Sequence, residues 1–204
     1  MKQKIDCNWH KYVDLSLPSG LLWATCNVGA KEPWESGLYF SWGNVDGHAK
    51  GSWYNFSRTK YKSTPGASLT ENIPVDAKYD AARANLGGSW RMPTKEEFKE
   101  LYDNCTSEWT IQNGVNGIVF TSWINGNSAF FPVAGYYDEE ILYLDNTNGH
   151  YWFSSLQSQT DAYNLAFGSW SIYPQNYCSR HYGFPVRVVL DHPKDSLMIK
   201  TIKR

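Results

Sequence analysis

PTKEEFKELYDNC, residues 93–105, pairs Thr94 with Glu97 at the spacing of a capping box, in which each side chain satisfies a backbone N–H that the first helical turn leaves unpaired. Phe98, Leu101, Tyr102 and Cys105 then follow the i, i+3, i+4, i+7 rhythm of one buried helix face. The spacing predicts a helix, with Cys105 a small core residue rather than a nucleophile. A second helix is expected upstream, near Asp76 to Leu86, where AKYDAARAN stops at Gly87-Gly88 and glycine can take the left-handed conformation that closes a helix.

On both sides of these helices the sequence reads as strands. From Tyr12 to Trp42, short apolar pieces are cut by Pro-Ser-Gly, Val-Gly and Glu-Ser-Gly turns. The stretch from Gly43 to Pro74 is polar and reads as a long loop decorated with Trp53, Tyr54, Phe56 and Tyr61. Downstream, Gly117 to Trp123 and Ser128 to Val133 flank Asn125-Gly126, the strongest short hairpin signal. Further strands are expected near Leu142 to Leu144, Tyr151 to Ser154, Tyr163 to Phe167 and Val186 to Leu190. Strands around two mid-chain helices predict an α+β fold with short antiparallel strands, one domain over residues 1–204, and a mildly basic tail over 191–204.

One stretch fits neither pattern. GSWSIYPQNYCSRHYGF, residues 168–184, mixes large rings with Ser, Asn, Gln, Gly and Pro, and reads as neither a core strand nor an ordinary solvated loop. It concentrates a bias of the whole chain, in which aromatics make up 16% of 204 residues, with ten Trp and fourteen Tyr. Tyr and Trp bring large contact area with a polar handle at low entropic cost, which suits recognition surfaces.

The formal net charge of −1, with no Lys/Arg stripe, argues against nucleic acid. No apolar run is long enough to cross a bilayer, and MKQKIDCNWHK lacks the apolar stretch of a signal peptide, so neither membrane insertion nor a leader is expected. Cys7, Cys26, Cys105 and Cys178 stand singly and read as mostly free thiols. His10, His48, His150, His181 and His192 lie far apart and read as surface or structural histidines. Asp138-Glu139-Glu140, with Asp145, Asn146 and Asn148, reads as turn-forming before it reads as a calcium site. With no GxSxG, HExxH, P-loop or GxGxxG motif, no catalytic residue, metal or cofactor is expected, and the chain reads as not an enzyme.

The blocks LPSGLLWATCNVGA, LGGSWRMPTKEEFKEL, NGVNGIVF, FFPVAGY, YWFSS and RHYGFPVRVV, in this order, resemble the Fibrobacter succinogenes major paralogous domains of the formylglycine-generating-enzyme branch of the C-type lectin fold. The C-terminal segment, about 151–189, is similar to the variable region of proteins diversified by retroelements. The resemblance implies a fixed frame of Trp152, Ser154, Ser155, Ala162, Leu165, Phe167, Arg180, Gly183, Val186 and Arg187. It implies displayed, interchangeable positions at Phe153, Asp161, Tyr163, Asn164, Trp170, Tyr173, Tyr177, Cys178, Ser179, His181 and Tyr182. The function implied is non-enzymatic recognition of a protein or glycan on another cell or virus, displayed on a phage tail or a bacterial surface. The alternatives are a fixed bacterial adhesion or structural module, and a formylglycine-generating-type oxidase. The oxidase would need a reactive cysteine pair where this chain has only Cys178.

Overall fold

The computed structural model describes residues 4–5, 11–73 and 78–190. The tail 191–204, Cys7, His10, His192 and the expected helix start at Asp76 lie outside the described residues. In chain order the strands of the first half are β1 (Lys4–Ile5), β2 (Lys11–Asp14), β3 (Leu22–Asn27), β4 (Leu38–Tyr39), β5 (His48–Ala49) and β6 (Trp90–Arg91). Three short helices, α1 (Arg58–Tyr61), α2 (Ala81–Leu86) and α3 (Lys95–Asp103), and a 3-10 turn over Pro65–Ser68 are interspersed or follow. The second half is all strand: β7 (Cys105–Gln112), β8 (Val115–Ser122), β9 (Ser128–Pro132), β10 (Tyr136–Asp138), β11 (Ile141–Tyr143), β12 (Asn148–Leu156), β13 (Asp161–Gly168), β14 (Ser171–Ser179) and β15 (Arg187–Leu190).

This corrects the expected α+β class. Strands account for 45% and helices for 13% of the structure, so the fold is β-rich, built of several small antiparallel sheets. The helix signals are genuine but short-lived. In α3 the Thr94–Glu97 capping box forms in both directions, and Phe98 and Leu101 are buried. The helix nevertheless ends at Asp103, and Cys105, 4% exposed, opens β7 instead of closing the helical stripe. In α2 the carboxylate of Asp80 accepts from the Ala82 and Arg83 N–H groups, and Gly87 at φ 72° ends the helix after six residues. The Gly43 to Pro74 region is not merely loop, since it holds β5, α1 and the 3-10 turn.

The main sheet runs β1-β2-β3-β15-β6, so the last described strand lies between two early ones, with Leu190 opposite Leu22 and Val189 opposite Trp23. The predicted hairpin forms as β8–β9, in a sheet of order β7-β8-β9. Two buried clusters meet across β12–β13. One gathers Trp23, Phe98, Phe120, Phe131, Phe153 and Leu165; the other gathers Trp42, Trp90, Trp152, Phe184 and Val186. Trp42 stitches these layers, its indole N–H donating at 2.8 Å to the Phe153 carbonyl oxygen, while the Trp152 indole donates at 2.8 Å to the Phe40 carbonyl oxygen within the second cluster. A buried indole whose N–H stayed unpaired would bear the full desolvation cost of that group.

Gly183 shows why small residues recur in this core. A Cβ there would come within 2.7 Å of the Phe56 ring, while its backbone exchanges two hydrogen bonds with Tyr137. The chain passes too close for any side chain.

Candidate ligand-binding face

The middle of the stretch 168–184 is a strand, β14 over Ser171–Ser179. β14 is the outer strand of the β12-β13-β14 sheet, and its burial alternates residue by residue, with Tyr173, Gln175 and Tyr177 exposed and Ile172, Pro174, Asn176 and Cys178 half-buried. Period-2 alternation is the mark of a half-buried strand. The sequence hid it because the exposed places carry Tyr where a polar residue is the usual signal.

The register gives the two exposed tyrosines different partners on β13. Tyr177 pairs with Tyr163, the ring centroids 6.5 Å apart, whereas Tyr173 pairs with Ala166 beyond a bulge between Asn164 and Ala166. Tyr173, Gln175 and Tyr177 hold the exposed places of the alternation on either side of that bulge. Trp170 stands on the β13–β14 turn, 96% exposed. A groove of about 440 Å³ runs between β14 and α3, lined by Tyr173, Gln175, Tyr177, Lys99 and Tyr102 among others.

The expected positions therefore separate into three groups. Trp170, Tyr173 and Tyr177 are exposed, and Asp161, Tyr163, Cys178, Ser179 and Tyr182 are half-buried. Phe153, Asn164 and His181 are buried, and Phe153 belongs to the aromatic core, stacked on Phe98 at 5.1 Å, so it displays nothing. Asn164 is fully enclosed beside Asn176 and Cys178. All ten frame positions are buried. The sequence did not point to Tyr136 and Tyr143, which stack at 5.5 Å across the β10–β11 hairpin, with Tyr182 against Tyr136 at 5.4 Å. Their signal was the pair of tyrosines before the acidic Asp138-Glu139-Glu140 turn.

That acidic run builds a tight turn, with Glu139 at φ 53°. Among the described residues no group of three His, Cys, Asp or Glu side chains is placed to hold a metal ion. Asp138 instead meets His181 Nε2 at 3.2 Å, and His181 Nδ1 lies 2.8 Å from the Ser179 hydroxyl. Burial lowers the His181 pKa, and the Asp138 carboxylate opposes that shift. Asp138 keeps 37% of its side chain exposed. Water screens a charge so placed, so the chain of contacts serves to order the 179–182 corner more than to activate Ser179.

Behind this corner Arg180 is 1% exposed and donates to the carbonyl oxygens of Leu69 and Gln159 at 3.0 Å each and to that of Gly66. Its guanidinium lies over the Trp42 ring at 4.5 Å. His150, on β12, packs against Tyr136 and Phe184 with neither ring nitrogen at hydrogen-bonding geometry. Burial pushes its pKa down to about 4, with the Asn164 amide opposing. Cys178 packs beside the second core, and burial raises its thiol pKa. Another concavity, of about 610 Å³, lies between β2–β3 and β7–β9 and contains none of the expected positions.

Comparison with protein-family models, characterised proteins and solved structures found no match for this chain. No helix among the described residues is long and apolar enough to cross a membrane.

Proposed function

We propose that the protein is a non-enzymatic receptor-recognition protein whose C-terminal segment, about residues 151–189, carries a diversified binding surface for a protein or glycan on another cell or virus. The observation that carries this reading is the edge strand β14. It holds Tyr173 and Tyr177 more than half exposed, beside Trp170 on the preceding turn and small polar residues along the strand. An exposed sheet edge bearing large rings costs solubility and invites unwanted pairing unless it serves contact. The rings stand on strands whose frame residues are buried, so little ordering entropy remains to be lost on binding. Display on a phage tail or a bacterial surface fits this role.

The oxidase alternative is weakened by the chemistry of Cys178, since a thiol whose pKa is raised is less often the thiolate that reacts. The decisive experiment sequences the locus and the 3′ segment of the gene across a population. A reverse transcriptase beside a near-identical non-coding copy is expected, with substitutions falling on Tyr173, Tyr177, Cys178, Ser179 and Tyr182. Substitutions falling equally on Trp152, Gly183 and Arg187 would defeat the diversified reading and leave a fixed adhesion module.

A further inference from the structure

A second concavity adjoins the end of β14. It measures about 390 Å³ and is walled by Arg58 and Tyr61 of α1 and Lys62 just after it, by the turn after Pro65, by Gln159 and Thr160, and by Ser179 and His181. No acidic side chain lines it. Arg58 at the start of α1 and Lys62 at its C-terminal cap both line the cavity, both are exposed, and among the described residues neither is in an ion pair with a carboxylate. A third cation lies behind the wall: Arg180 bonds to the carbonyls of Leu69 and Gln159, two residues of the lining, and its guanidinium lies over the Tyr61 ring. The nearby acids stand outside the lining: Asp161, held by the Ser158 and Thr160 hydroxyls, is felt by Arg180, and Asp138, bound to His181, and Glu139 are felt by His181.

Enclosing a guanidinium without a carboxylate partner is costly even where carbonyl oxygens solvate it. An anion entering the cavity would meet Arg58 and Lys62 directly and ease the field of Arg180. The hydroxyls of Ser68, Thr70, Thr160 and Ser179 stand in or beside this wall. The cavity also lies where β14 ends, and the outer edge of β14 carries backbone groups that no neighbouring strand pairs. An extended peptide can add itself to such an edge, with side chains reading the pockets along it.

We infer that this cavity takes a carboxylate side chain of an extended, acidic peptide segment in a protein partner, laid along the free edge of β14. The inference rests on the receptor-recognition reading and narrows its ligand to an acidic protein segment. Cation-lined walls give an interaction that steers approach and fades with salt.

The test titrates the full chain calorimetrically with hexaglutamate at low and high salt, with hexaglutamine and oligogalacturonate in parallel. Hexaglutamate is expected to bind at low salt, to weaken about tenfold or more at high salt, and to be lost in Arg58→Glu/Lys62→Glu and reduced in Arg58→Gln/Lys62→Gln. Because both side chains are exposed, thermal melts of these variants should match the parent. Equal binding of hexaglutamine, no effect of charge reversal, or no binding of hexaglutamate overturns the inference. Binding of oligogalacturonate alone also overturns it, in favour of an acidic glycan. Any of these failures leaves the aromatic edge standing, since that reading is tested by sequence variation in the gene and not by this titration.

Discussion

His150 gives the sharpest physical test. Its ring packs against Tyr136 at 5.2 Å and Phe184 at 5.0 Å, and the Asn164 amide only partly offsets its burial. Burial holds its pKa at about 4, against 6.5 when the chain is unfolded. The unfolded chain therefore binds this proton first as pH falls. The stability from keeping His150 neutral is complete above about 6.5, and it drains away as pH drops toward about 4, beyond which no more is lost. At about 1.4 kcal/mol per pH unit, the loss across that window is about 3 kcal/mol, a large share of the stability of an ordinary domain. His48 and His181, whose pKa values are also lowered by burial, act in the same direction, and the raised pKa of buried Asp80 acts against it. Comparison with His150→Phe isolates the single residue, since a phenyl ring keeps the packing against Phe184 and has nothing to protonate. Urea unfolding of both proteins between about pH 7.5 and about pH 4 should show the parent losing about 3 kcal/mol more than the variant. Parallel pH profiles would refute the claim that this ring is neutral and enclosed.

Three further outcomes follow from the packing. Tyr173→Ala/Tyr177→Ala should change stability by less than about 1 kcal/mol, whereas Phe153→Ala should cost about 3 to 5 kcal/mol; chemical denaturation that reversed this order would place the tyrosines in the core. Gly135→Ala should lower the melting temperature by several degrees, because Gly135 sits at φ 59° and a Cβ there would come within 2.3 Å of the Tyr143 carbonyl oxygen. A chelator should leave the melting temperature unchanged, and a drop of several degrees would reveal a structural metal.

What the sequence determined by itself was local. The capping box at Thr94 and Glu97, the Asn125-Gly126 hairpin and the glycine that ends α2 each act within a few residues, so their physics is complete in the text. Where the same local rules were carried too far they overshot: Cys105 kept the helical spacing but joined β7, and the two helix signals suggested an α+β balance that nine- and six-residue helices do not supply. Tertiary structure decided the rest. β14 became a strand because β13 offered it an edge to pair with, although its exposed positions carry rings instead of the polar residues that mark a strand in sequence. Phe153 and Tyr177 are both aromatic and both in strands, and only their packing put one on Phe98 in the core and the other on the surface. The cationic cavity joins α1, the turn after Pro65, the β12–β13 turn and the end of β14, while His181 meets Asp138 from 43 residues away. Such meetings are set by which surfaces are buried together over the whole chain, and burial is a property of the folded molecule that no short window of residues contains.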